Sequence, residues 1–264
     1  MSTAEKGQIL RHDADNVVTL SLSHPGKLNA LSINMWHSLC GHMQQINQDM
    51  SIRAVIVQGM DGNFAAGADI SEFPAQRHDL ESVMHYHRRI LAPALHALAA
   101  CPHPLIAKIE GVCVGGGLEI AAQCDMRIAS RNARFGAPIN KLGFPMAPEE
   151  MIGLLRLAGL AVASEILLEG RILTAQQAWE KGLLTRLVDV EQLAAEVNQS
   201  VQRIKQGSAR AARLNKRMLR RLSPVPVALS QAEYRDFFAY APTHDHQEGV
   251  RAFLAGEEPV FIGD

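Results

Sequence analysis

"CVGGGLEIAAQCD", residues 113–125, places three consecutive glycines between an apolar run and a segment of helical character, with a glutamate two places past the last glycine. That order puts Gly115, Gly116 and Gly117 at a helix N-terminus, where unpaired N–H groups and the helix dipole favour negative charge. Without Cβ atoms, a ligand oxygen can approach the main chain closely. The stretch is no phosphate loop, because it lacks both the GK[ST] ending and the third glycine of GxGxxG.

Outward from this stretch, short β-rich runs flank it at 105–109 and 126–129, and others lie at 17–22 and 54–57. Helical segments alternate with them: 33–47 follows the potential cap Ser32, and the apolar-periodic stretch 80–100 is stopped by Pro102 and Pro104. Strand alternating with helix predicts an α/β fold. From Glu149 onward the pattern predicts helix after helix, at 149–157, 160–169, 174–181, 191–205, 208–222, 227–240 and 245–254, with 183–188 as the one further strand. Thr174 with Gln177 makes a capping box, and Gly182 stands where a glycine stop belongs. With no repeat, linker or low-complexity tract, the simplest partition is an α/β core over 1–200 and a helical C-terminal region over 201–264. Apolar faces in such a tail call for a second subunit to cover them.

The 264 residues, 47% of them apolar, suffice for a sizeable core. No run reaches the roughly 18 uninterrupted apolar residues of a membrane span, and the polar start lacks the order of a secretion signal, so a cytoplasmic protein without membrane contact is expected. Cys40, Cys101, Cys113 and Cys124 have no metal-ligand spacing, which predicts reduced, mostly buried thiols and no metal site. The balance of 26 basic against 27 acidic residues argues against a general affinity for nucleic acid. Locally that balance breaks: residues 203–221 hold eight Lys or Arg and no acid, with Leu214, Met218 and Leu222 on one helical face. Such a basic amphipathic helix reads as a solvated face, or as a contact for a polyphosphate or RNA.

A second stretch, "GNFAAGADISEF" at 62–73, follows the strand 54–57, and its Ala65, Ala66, Gly67 and Ala68 again leave main chain bare. Two exposed N–H groups from separate loops, converging on one oxygen, make an oxyanion hole. In this order the pieces "HPGKLNALS" (from His24), "NFAAGADISEF" (Asn63), "HPLIAKIEGVCVGGGLEIAAQCDMRIAS" (His103), "ARFGAPINKLGFP" (Ala133), "EGRILTAQQAWEKGLL" (Glu169) and "DHQEGVRAFL" (Asp245) resemble the crotonase, or enoyl-CoA hydratase/isomerase, superfamily over almost the whole chain. The resemblance implies a spiral of ββα units with a helical C-terminal trimerisation region, assembled as a homotrimer or homohexamer. It further implies an acyl-CoA substrate, with coenzyme A part of that substrate and no separate cofactor. The thioester oxygen would be held by the amides of Ala68 and Gly116, each such donor being worth about 3 kcal/mol in the transition state. Glu119 matches one of the two hydratase glutamates, the one the resemblance implies helps to orient and deprotonate water. Lys27, Leu28, Ala66, Gly67, Asp69, Ile70, Gly115, Ile139 and Phe144 are the expected substrate-binding positions. Asp125 and Arg127 read as a structural ion pair or turn-fixing groups.

The chain departs from the family pattern twice. After "FGAP" the second hydratase glutamate is replaced by Ile139, which cannot donate a proton, and loss of a positioned acid costs about 10²- to 10⁴-fold. Glu149 and Glu150, after Pro148 at a helix start, are where acids suit the dipole, but a loop folded over the acyl pocket would give either a chemical role; Asn140 and His103 are weaker candidates. Where the family often carries a Lys-Arg pair near the end, this chain has Ala255-Gly256-Glu257-Glu258, leaving Lys27 or the basic helix to meet the CoA phosphates. Hydration or isomerisation of an enoyl-CoA is the first expectation. Decarboxylation of a carboxyacyl-CoA, which reaches the same enolate with less need of protein acids, is an alternative, and a non-catalytic acyl-CoA- or RNA-binding protein is another.

Overall fold

The computed structural model describes residues 6–223 and 230–262. In chain order its strands are β1 (Gln8–Ala14), β2 (Val17–Ser23), β3 (Ala54–Gly59), β4 (Leu105–Ile109), β5 (Val112–Val114), β6 (Met126–Ser130), β7 (Arg134–Gly136), β8 (Ile172–Thr174) and β9 (Arg186–Val188). Its α-helices are α1 (Ile33–Gln48), α2 (Phe73–Gln76), α3 (Leu80–His85), α4 (Ala92–Ala99), α5 (Gly116–Gln123), α6 (Pro148–Leu168), α7 (Ala175–Glu180), α8 (Val190–Gln206), α9 (Ala209–Leu222), α10 (Gln231–Phe237) and α11 (His244–Ala255). A six-stranded sheet in the order β1-β2-β3-β4-β6-β9 is parallel except for the β1-β2 hairpin, and a three-stranded sheet runs β5-β7-β8. From β4 to β7 the chain alternates between the sheets, β4 to β5, then α5, then β6 to β7, which is a turn of the ββα spiral.

The central strands are buried on both faces, as near-continuous apolar runs in parallel sheets must be. One face, with Ala54, Ile56, Ile106 and Ile128, is covered by Leu193, Val197 and Val201 of α8. The other, with Val55, Val57, Leu105 and Ala107, joins the main core beside Trp36 and Leu39 of α1 and Leu118 of α5. The division drawn at residue 200 falls inside α8.

Several expectations need correction. The stretch 80–100 is not one regular α-helix: between α3 and α4 lies a π-helical turn, Tyr86–Leu91. Between the helices expected at 160–169 and 174–181, where no strand is expected, Ile172–Thr174 forms β8 against β7. The edge strand β1 was not foreseen; it joins β2 through Asp15 and Asn16, both with left-handed φ (57° and 61°), a two-residue hairpin turn. Of the helix expected at 227–240, residues 227–229 lie outside the described residues, and α10 starts behind the Ser230 cap. By length and composition α6 alone among the described residues could cross a membrane, but Glu149, Glu150, Arg156 and Glu165 interrupt its apolar run and Gly159 (φ 68°, ψ 171°) breaks its helix.

The basic helix α9 turns part of its charge inward. Lys216 pairs with Asp125 at 2.6 Å and donates to the His103 carbonyl at 2.5 Å, Arg220 pairs with Asp125 at 3.1 Å, and Arg213 donates to the Met50 carbonyl. Asp125 also accepts from the Leu105 N–H at 2.8 Å. Arg127 bonds not to Asp125 but to the carbonyls of Leu183, Ala121 and Cys124, fixing the turn after α5.

Candidate active site

The two small-residue loops are pinned from opposite sides. The Leu31 N–H donates to Gly67 O (2.7 Å) and the Asp69 N–H to Leu31 O (2.9 Å), holding the Ala68 loop against the segment before α1. The Val114 N–H donates to Ala65 O (3.0 Å) and the Gly115 N–H to Gly136 O (2.9 Å), which fix the loop before α5. Gly67 and Gly115 both have left-handed φ, 98° and 50°, and a Cβ on Gly115 would stand 3.4 Å from the Gly67 Cα. Bare backbone therefore faces bare backbone. Neither the Ala68 nor the Gly116 N–H donates to a protein acceptor among the turn and loop hydrogen bonds of the described residues.

Both loops open into a cavity of about 320 Å³ that collects Ala66, Gly67, Ala68, Ile70, Gly115, Gly116, Glu119, Ile139 and Phe144 of the expected positions. Lys27, Leu28 and Asp69 do not line it. Asp69 caps the short helical turn at Ile70–Glu72 through Ser71 and binds the Lys27 ammonium at 2.7 Å, while Leu28 is half-exposed with φ 48°. Asn140 donates to Leu168 O, and His103, in the core, lies within hydrogen-bond distance of Ile46 O.

Four polar groups meet in the cavity wall that the resemblance did not mark as a set: Arg77 at the end of α2, Tyr86 and His87 in the π-helical turn, and Glu150 in the first turn of α6. The buried Arg77 guanidinium bonds to His87 Nε2, and since arginine only donates, that nitrogen is the acceptor. His87 then carries its proton on Nδ1 and donates it to Glu150 Oε1 at 2.5 Å. The Ala147 N–H donates to the other Glu150 oxygen at 3.3 Å. Phe238 stacks on the His87 ring with centroids 5.2 Å apart, so the C-terminal region backs this network. Glu149 points away and accepts from the Tyr234 hydroxyl at 2.7 Å, which distinguishes the two neighbouring acids.

Glu119, on the first turns of α5, is buried and its Oε2 has no hydrogen-bond partner. Burial first, and then the nearby Glu150 carboxylate, hold its carboxyl well above the usual range, against a smaller pull from Arg77. Burial pushes Glu150 up to about 8, with Arg77 again opposing. Burial, then Arg77, keeps the His87 imidazole well below its ordinary value. Of the two carboxyls, Glu150 is the one with hydrogen-bond donors, which favour its ionised form. Ile139, at the family's acid position, lines the same cavity as Glu150, which another element contributes.

A cavity with unpaired loop amides beside two buried carboxyls suits stabilisation of a developing oxyanion together with proton transfer. The enoyl-CoA hydratase/isomerase family model matches residues 12–264. The chain belongs to the enoyl-CoA hydratase/isomerase family. Among its relatives, a probable enoyl-CoA hydratase of Mycobacterium bovis, echA8, is 34% identical over 256 residues, covering 96% of this chain and 97% of that protein. The crystal structure of an enoyl-CoA hydratase/carnithine racemase from Magnetospirillum magneticum is 39% identical with a TM-score of 0.80, covering 98% of this chain and 97% of the other. The structure of methylmalonyl-CoA decarboxylase in complex with 2-nitronate-propionyl-CoA aligns at 26% identity and a TM-score of 0.85 over 97% of this chain and 99% of that one. Crotonase-family membership thus accounts for the six sequence pieces, the spiral and the helical C-terminal region.

Proposed function

We propose that this crotonase-family enzyme hydrates or isomerises an enoyl-CoA. In this reading the thioester oxygen accepts hydrogen bonds from Ala68 and Gly116 as enolate character develops, and Glu119 and Glu150 manage the protons. Glu150, whose hydrogen-bond donors favour its ionised form, acts as the base, and Glu119, whose Oε2 has no donor among the described residues, as the acid, the reverse of the water-deprotonating role the resemblance implies for Glu119. What carries the reading is that the two buried carboxyls share one cavity with two N–H groups that find no acceptor among the turn and loop hydrogen bonds of the described residues. Hydration then adds the elements of water across the double bond: oxygen to Cβ, one proton passing to Glu150, and one from Glu119 to Cα.

Decarboxylation of a carboxyacyl-CoA is the second reading, favoured by Ile139 at the family's acid position. Incubation with crotonyl-CoA and, separately, with methylmalonyl-CoA separates the two. Consumption of crotonyl-CoA, followed by loss of its conjugated-thioester absorbance, is expected. Turnover of methylmalonyl-CoA alone would move the assignment to decarboxylation, and turnover of neither to a binding role. Assembly as a homotrimer or homohexamer belongs to the same proposal, supported by the exposed Leu160, Leu168 and Phe253 on the helical side. Light scattering is then expected to give about three or six times the 28.8 kDa chain mass.

A further inference from the structure

The acyl cavity holds a cation that sets the His87 tautomer and pulls the pKa of both carboxyls downward, yet forms an ion pair with neither among the described residues. Arg77 is 4% exposed, and its guanidinium lies over three aromatic rings, with centroids at 4.1 Å (Phe73), 4.4 Å (Phe144) and 4.7 Å (Tyr86). Those rings occupy its faces and leave recognition to the in-plane N–H edge. On that edge one terminal nitrogen serves His87, a neutral acceptor. Nε is buried with no hydrogen-bond partner among the described residues, and another group close to this edge, the Tyr240 hydroxyl, is also neutral. Among the described residues no carboxylate forms an ion pair with this guanidinium, although buried charges are ordinarily paired because their desolvation costs several kcal/mol.

Charge, geometry and place together describe the missing partner. The group must be anionic, it must accept from a planar donor edge, and it must arrive through the cavity that Ala68, Gly116 and Glu119 also line. A cavity of about 320 Å³ is at the small end of ligand sites and takes a short chain. Ile70, Leu91, Ile139 and Leu142 make much of the remaining wall apolar, suited to methylene groups between the thioester and the charged end.

We infer that the substrate is a short acyl thioester whose chain carries a carboxylate, and that Arg77 receives that carboxylate. Arg77 is on this view a specificity-determining residue, and the inference rests on the acyl-CoA reading proposed above. Saturated thioesters test it without turnover. Glutaryl-CoA and valeryl-CoA share five acyl carbons and differ in the terminal carboxylate, and their binding is measured by calorimetry to wild type, Arg77→Met and Arg77→Lys. Wild type is expected to bind glutaryl-CoA at least about tenfold more tightly, as a charge-assisted hydrogen bond implies. Arg77→Met should lose that preference and Arg77→Lys keep part of it. Equal binding of the two ligands by wild type, or a preference that survives in Arg77→Met, overturns the assignment and leaves the thioester reading standing. Failure of both ligands to bind wild type removes the thioester reading and this inference with it. Should Arg77→Met not fold, the wild-type comparison decides alone.

Discussion

Glu150 links activity to stability through a single proton. Its carboxyl is pushed up to about 8 by burial, so it binds its proton more tightly in the folded chain than in the unfolded one, where the value is near 4.5. Its contribution to stability is therefore complete below pH 4.5 and is lost as pH climbs toward about 8. If Glu150 is the base, activity runs the opposite way and rises with pH up to about 8. We expect kcat/KM on crotonyl-CoA to climb through neutrality while the melting temperature falls over the same interval. Glu150→Gln should flatten that stability loss and lower kcat by about 10²- to 10⁴-fold. Glu119→Gln should cost about as much, since the acid is removed instead. Calorimetric melting and initial rates from pH 5 to 9 check these outcomes, and a Glu150→Gln enzyme of wild-type rate would remove that residue from the proton chemistry. Glu119 was legible because its place after the glycines is local. Glu150 was named only as one of two adjacent acids, because which of them turns inward depends on His87 and Tyr234, 63 and 85 residues away.

Elements matter here through their contacts with the loops. The first turn of α5 lies against the loop carrying Ala65, and a Cβ on Gly117 would come 2.5 Å from the Ala65 carbonyl oxygen. That oxygen already accepts from the Val114 N–H, so the backbone has little freedom to retreat. Gly117→Ala should displace α5 from the Ala68 loop, destabilising the fold by about 1–3 kcal/mol, the usual range for overpacking. Because the shift would separate Gly116 from Ala68, kcat on crotonyl-CoA should fall more than the affinity for CoA. Denaturant titration and steady-state rates check this; an unaltered rate would mean that the spacing of the loops is immaterial. At this scale the glycines, the Ser32 cap and the Thr174–Gln177 box were readable, since each acts within a few residues. The π-helical turn was not, because one extra residue per turn leaves an apolar stretch apolar. That turn nevertheless brings Tyr86, His87 and Leu91 to the cavity wall. The small strands β5, β7 and β8, three residues each, were equally hard to find in sequence, because they are too short to show alternation.

For the molecule as a whole, the question is what ties the helical C-terminal region to the α/β core. Charge composition alone suggested a solvated or phosphate-binding α9, and hydropathy could not show that one aspartate gathers its cations. Asp125 sits in the turn between α5 and β6, accepts from the Leu105 N–H, and pairs with both Lys216 and Arg220. The Lys216 side chain is 8% exposed and Asp125 25%, so screening is incomplete and removal of the carboxylate leaves a nearly buried ammonium without its counter-ion. Loss of one partner from a fully buried pair costs about 3–5 kcal/mol, and the partial exposure of Asp125 brings the expectation for Asp125→Asn to roughly 2–3 kcal/mol. The same turn follows the helix that carries Glu119, and α9 leads on to the segment in which Phe238 stacks against His87. Asp125→Asn should therefore loosen both sides of the cavity, with faster amide hydrogen exchange in α9 and in the turn after α5. A double variant, Asp125→Asn with Lys216→Met, replaces the stranded charge by an apolar chain of similar length and should recover most of the lost stability. Recovery absent from denaturant titration of the double variant would mean that α9 is held chiefly by its apolar contacts.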